Sequence, residues 1–93
     1  MQAGRAGIIG VIVAKYYYTY VLRSLRDCGF YIGWTENLKR RLKLHNFGKV
    51  KATKDRRPFK LVYFEACLSK DRAVKREKTL KTGFGRRYLK SRI

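Results

Sequence analysis

Residues Tyr31 to His45, YIGWTENLKRRLKLH, decide the fold. A short β-type run, Tyr31-Ile32-Gly33-Trp34, gives way within a few residues to a stretch of helical period. At about 100° per residue, Leu38, Leu42 and Leu44 mark an inner stripe, while Lys39, Arg40 and Lys43 fall on the opposite, solvent side. Two residues break the pattern, because Arg41 and His45 also lie on the inner stripe. Basic residues had outward positions available, so Arg41 requires an explanation. One is a stem packed on the core with its head in water. The other is an anion site, since a rigid guanidinium fork matches a phosphate. Thr35 is expected to cap the helix, with Glu36 in its first turn, and Gly48 to follow its end near Asn46 or Phe47.

Working outward, Tyr16 to Leu22, YYYTYVL, is a strand by its aromatic and β-branched content, with Tyr16, Tyr18, Tyr20 and Leu22 on one face. Arg23 to Gly29 ends in Asp-Cys-Gly and supplies a hairpin turn, and Phe30 to Trp34 returns as the second strand. Its faces carry Phe30, Ile32 and Trp34 on one side, Tyr31 and Gly33 on the other. A glycine there marks either close approach of another group or a bulge. Beyond the helix, Lys49 to Arg57, KVKATKDRR, is a basic loop that reads as solvated chain or as a track for a phosphate backbone. Phe59 to Ala66 is a third strand, and Ser69 caps a second helix beginning near Lys70. That helix repeats the anomaly with opposite sign: Glu77 lies inside, among Ala73, Val74 and Leu80, while Asp71 points out. A structural ion pair with Arg41 would account for it, because buried carboxylates are usually paired. Gly83 is expected to end this helix, and Arg86 to Ile93 to form a final short one. The element order is ββαβα(α), a single α/β unit over residues 16–93, preceded by an extension over residues 1–15. Within that extension the apolar run Ile8 to Val13 offers an alternative edge strand.

The 93 residues suit one domain with one modest core. Lys and Arg number 24 against 6 acidic residues, a net charge of +18, which favours a polyanionic partner and nucleic acid above all. No stretch is long and apolar enough to span a membrane, and no cleavage signal follows the first apolar run. Cys28 and Cys67 lack metal-ligand spacing and read as reduced thiols, so the expected compartment is the cytoplasm.

An inward arginine, an inward glutamate and two strand tyrosines suit phosphodiester chemistry. Mg²⁺ often takes one or two protein carboxylates and fills its octahedron with water and phosphate oxygens. The arginine would meet charge growing on the attacked phosphate, and a tyrosine would hold or deprotonate water. Tyr18-Thr19-Tyr20, Tyr31-Ile32-Gly33, Arg41, His45 and Glu77, in this order and spacing, resemble the GIY-YIG endonuclease family, in particular its small single-domain bacterial members. The first motif keeps only the last residue of Gly-Ile-Tyr, and Trp34 stands where some members have a lysine. The resemblance implies a three-stranded antiparallel sheet flanked by helices and metal-dependent cleavage of a nucleic-acid strand; the expected substrate is DNA in a branched, damaged or single-stranded form, with RNA as the alternative. It further implies that Glu77 binds Mg²⁺ or Mn²⁺, Arg41 the scissile phosphate, and that Tyr20 and Tyr31 orient or activate water with His45 assisting. Lys39, Arg40, Lys43, Lys49, Lys51, Lys54, Arg56 and Arg57 are the expected backbone contacts, and no obligate protein partner is evident. A non-catalytic nucleic-acid-binding module is the rival reading. A basic domain for an acidic protein ranks last, since it leaves Tyr20, Tyr31, Arg41 and Glu77 without a shared purpose.

Overall fold

The computed structural model describes residues 12–93. Strands β1 (Tyr17–Ser24), β2 (Phe30–Thr35) and β3 (Phe59–Cys67) form one antiparallel sheet of order β2-β1-β3. Helices α1 (Leu38–Asn46), α2 (Lys70–Leu80) and α3 (Gly83–Lys90) cover it, completing the order ββαβαα. Most of the expected extension over residues 1–15, including most of the alternative edge strand, lies outside the described residues. Its last residues, Ile12–Lys15, are exposed and without regular structure.

β1 is central because it is apolar on both sides: Thr19, Tyr20, Val21 and Leu22 are buried in succession. A strand covered on both faces needs such a run, whereas a half-exposed one alternates. Its two faces meet two clusters. Val21 joins Ile32, Leu80 and Leu89 beneath α2 and α3. Tyr20 and Leu22 join Phe59 and the half-buried Tyr31, Leu38, Leu42 and Leu61 beneath α1. Complete burial of a leucine contributes about 1.5–3 kcal/mol, so Leu80 and Leu89, both wholly buried, anchor the two-helix side. Asn46 ties the end of α1 to the start of β3, its side-chain oxygen accepting from the Phe59 amide (2.8 Å) and its nitrogen donating to the Phe59 carbonyl (3.1 Å).

Three boundaries differ from expectation. Tyr16 lies outside β1 and is exposed. Thr35 does not cap α1, because it is the last residue of β2, paired with Tyr18. The cap is Asn37, whose side chain accepts from the Arg40 amide at 3.0 Å. The final helix starts at Gly83 rather than Arg86, since the Thr82 side chain caps it through the Gly85 amide. Gly85 is required there: a Cβ would lie 2.3 Å from the Thr79 carbonyl oxygen and 2.4 Å from the Leu80 Cα.

Candidate active site

Tyr20 stands opposite Gly33 in the β1–β2 register and leans across it. A Cβ on Gly33 would lie 2.6 Å from the Tyr20 hydroxyl, so this phenol is the group whose close approach the glycine permits. The hydroxyl, in a side chain 1% exposed, sits 2.8 Å from Nε2 of His45. His45 is wholly buried in the last turn of α1, and its Nδ1 lies 2.7 Å from the Thr53 hydroxyl. Thr53 donates its only proton towards the Val50 carbonyl (3.4 Å), so its oxygen accepts from Nδ1–H. Nε2 is then the acceptor of the Tyr20 proton. Arg41 Nε completes the line, donating to the Tyr20 oxygen at 3.5 Å. The chain therefore runs in one direction, Arg41 to Tyr20 to His45 to Thr53 to Val50.

Glu77 comes from α2, which packs on the face of the sheet opposite α1. The Tyr20 pKa is raised chiefly by burial, lowered by the hydrogen bond and charge of Arg41, and raised again by Tyr31 and Glu77. Tyr31 packs its ring edge-on against His45, with centroids 5.1 Å apart. The structure thus brings Arg41 and His45 onto the Tyr20 hydroxyl and Tyr31 onto His45, while Glu77 makes no hydrogen bond or ion pair with any of these four among the described residues. It does not pair Glu77 with Arg41: the Glu77 carboxylate is bound by Lys81, one turn later, at 3.0 Å. Arg41 instead faces a cleft of about 460 Å³ lined also by Trp34, Glu36, Asn37 and Arg40.

The basic residues divide into two groups. Lys39, Arg40, Lys43, Lys49, Lys51 and Lys54 are exposed. Arg56 is held by Asp27 at 2.7 Å and by the Phe30 carbonyl, and Arg57 donates to the Lys54 carbonyl at 2.7 Å. Arg56 braces the loop against the hairpin turn, whereas Arg57, itself exposed, bonds within the loop. Two residues with a part in the site escaped the sequence reading. Thr53 sits in a loop with no period to betray its burial, whereas Lys81 was legible as the i+4 partner of Glu77.

His45 is the chain's only histidine, and burial, followed by the charge of Arg41, depresses its pKa from 6.5 to about 4. Neutral imidazole is therefore the resting form. Between about pH 6.5 and 4 the unfolded chain binds a proton that the folded chain refuses. Stability is accordingly full above that window and falls as pH drops through it, by up to about 3 kcal/mol. The single histidine's ring resonances in an NMR titration are expected to move with a midpoint near 4. A midpoint near 6.5 in the folded protein would contradict the buried hydrogen-bond chain.

Residues 16–89 match the model of the GIY-YIG catalytic domain, and the chain belongs to this nuclease family. A UPF0213 protein of Streptococcus pneumoniae is 46% identical over 65 residues, which are 69% of this chain and 65% of that protein. A UPF0213 protein of Staphylococcus haemolyticus is 41% identical over 75 residues, 80% of this chain and 90% of its own length. The solution NMR structure of the UPF0213 protein of Bacillus halodurans matches with a TM-score of 0.51 and 35% sequence identity, covering 82% of this chain and 83% of that one. These relatives' names state no activity. No helix among the described residues is long and apolar enough to cross a membrane.

Proposed function

We propose that this chain is a metal-dependent endonuclease that hydrolyses phosphodiester bonds in DNA, selecting by shape with little regard for sequence. The observation that carries the reading is that Arg41 and His45 both hydrogen-bond the buried Tyr20 hydroxyl, with Tyr31 packed on His45. A purely structural role explains each residue separately. It gives no reason for a cation and a neutral imidazole to share one buried phenol beside the open cleft that Arg41 lines.

The donor set fits a divalent ion of the Mg²⁺ kind and not a zinc centre. No group of three acidic, histidine or cysteine side chains is clustered among the described residues, which leaves Glu77 as one hard carboxylate, its side chain 18% exposed. Glu77 would hold Mg²⁺ or Mn²⁺, which when bound polarises the phosphate and lowers the pKa of water. With so few protein ligands, metal affinity without DNA is expected to be weak.

The chain's own residues supply the rest. Arg41 engages the phosphate, and its contact with Tyr20, at the 3.5 Å limit, is weak enough to exchange for that stronger one. The exchange frees a lone pair on the Tyr20 oxygen for water. As water attacks phosphorus, the bond from phosphorus to the leaving sugar oxygen breaks, and the departing oxygen takes a proton from solvent. The water's proton passes to the Tyr20 oxygen while the Tyr20 proton passes to His45 Nε2. No free phenolate is needed, which removes the difficulty of a tyrosine whose pKa is raised by burial. Thr53 is a positioning residue that fixes the tautomer able to accept that proton. The phosphate's negative charge offsets the repulsion from Arg41 that weakens His45 as a base.

The deciding experiment incubates the protein with labelled linear, forked, four-way and single-stranded DNA, and matching RNA, with Mg²⁺, Mn²⁺ or EDTA. Metal-dependent cleavage of at least one DNA is the expected result. Binding to all without cleavage would favour the non-catalytic module. Affinity for duplex is expected to fall with salt along a log–log slope of roughly −4 to −5, as about four to six phosphates are neutralised. Lys51→Ala with Lys54→Ala should flatten that slope by about 2 and leave the rate at saturating DNA within a few-fold. If turnover disappears with binding intact, the loop belongs to the chemistry and not to docking.

A further inference from the structure

β2 is an edge strand, and the groove beside it differs from the cleft that holds Arg41. It has a volume of about 540 Å³ and is lined by Cys28, Phe30, Tyr31, Lys81, Arg86 and Lys90 among others, none of them acidic. Three cations from the end of α2 and from α3 thus face an open sheet edge. Arg86 and Lys90 lie one helical turn apart on α3, and among the described residues neither side chain makes an ion pair or hydrogen bond. An edge strand commonly carries charge to deter pairing with another chain. Here, however, the charges come from helices that flank the edge, and they line a concavity.

We propose that this groove binds the sugar–phosphate backbone of the nucleic-acid arm that continues beyond the scissile phosphate. The inference rests on the nuclease reading above and extends it to the path of the substrate. Two features set the direction. Tyr31 belongs both to the groove and to the packing around His45, so the groove and the site adjoin at this residue. Lys81 lines the groove while holding Glu77, and so joins it to the carboxylate that would carry the metal. A strand with one phosphate at Arg41 would continue past Tyr31 towards Lys81, Arg86 and Lys90. An acidic peptide would find the same charges but no reason for them to run into the site. Cations facing backbone give affinity and register without reading sequence.

Cys28, exposed at the turn between β1 and β2 and lining the groove, provides a reporter that needs no substitution. Saturating duplex DNA, without metal, is expected to slow alkylation of Cys28 by iodoacetamide several-fold, followed by mass spectrometry of the peptide. Arg86→Gln with Lys90→Gln should weaken DNA binding about tenfold at moderate salt and reduce the salt slope by about 2. For a substrate trimmed on the groove side of its cleavage point, wild type and variant should bind alike. Unchanged Cys28 reactivity while DNA is demonstrably bound would overturn the groove assignment and leave the nuclease reading standing. So would equal affinity of wild type and a variant with native melting. No DNA binding by wild type at all would remove the nuclease reading and this inference with it.

Discussion

Glu77→Gln is expected to reduce metal-dependent cleavage below about 1% of wild type while leaving the fold and its melting temperature almost unchanged. The substitution keeps the shape of the side chain and its hydrogen-bonding capacity and removes only the anion. Stability should barely move, because the partner of Glu77 is Lys81, half-exposed and four residues on, and such a helical pair contributes about 0.3–0.5 kcal/mol. Affinity for DNA without metal should be equal or higher, since a negative charge leaves the site and Lys81 is released to meet phosphate. The measurements are cleavage, DNA binding and thermal unfolding on the same preparation. A variant that melts far below wild type, yet whose folded fraction cleaves normally, would make Glu77 a structural residue.

That separation of effects was not available from the sequence. The helical period placed Arg41 and Glu77 on inner stripes, and both positions hold, since periodicity reports which side of a helix faces the sheet. It does not report what lies opposite. An ion pair between the two looked reasonable and would have made either substitution costly, but the helices carrying them pack on opposite faces of the sheet. Gly33 was legible as a point of close approach, while the approaching group, Tyr20, depends on the strand register. Thr35 and Asn37 are both capping residues two positions apart, and only the pairing of Thr35 with Tyr18 decides between them. Gly83, a breaker by its local preference, begins α3 because Thr82 caps the new helix and Gly85 allows it to turn back tightly on α2. Thr53 was the least legible residue, because its burial is imposed by the return of an irregular loop over His45.

The same geometry makes Gly33→Ala the substitution with the largest expected effect outside the reacting groups. The new methyl would stand 2.6 Å from the Tyr20 hydroxyl and 2.8 Å from the ring carbon that bears it, well inside van der Waals contact. Tyr20 is buried and stands across the strand pair, so it can yield only by shifting its ring, which stretches the 2.8 Å bond to His45. Overpacking of this kind costs about 1–3 kcal/mol of stability. A displacement near 1 Å of a group that positions or relays a proton costs on the order of 10²-fold in turnover. Loss of activity in a destabilised variant does not by itself locate the cause, so the informative experiment is a cycle with Tyr20→Phe. Both changes act on one hydroxyl, and the double variant should cleave no more slowly than Tyr20→Phe alone. The His45 titration supplies a readout independent of cleavage. When the phenol is pushed aside the imidazole is less well sealed, and its midpoint should rise from about 4 towards the ordinary 6.5. Multiplying losses in the double variant, with the His45 midpoint unmoved in Gly33→Ala, would mean that Gly33 serves the sheet alone and that the Tyr20–His45 bond is not what the glycine protects.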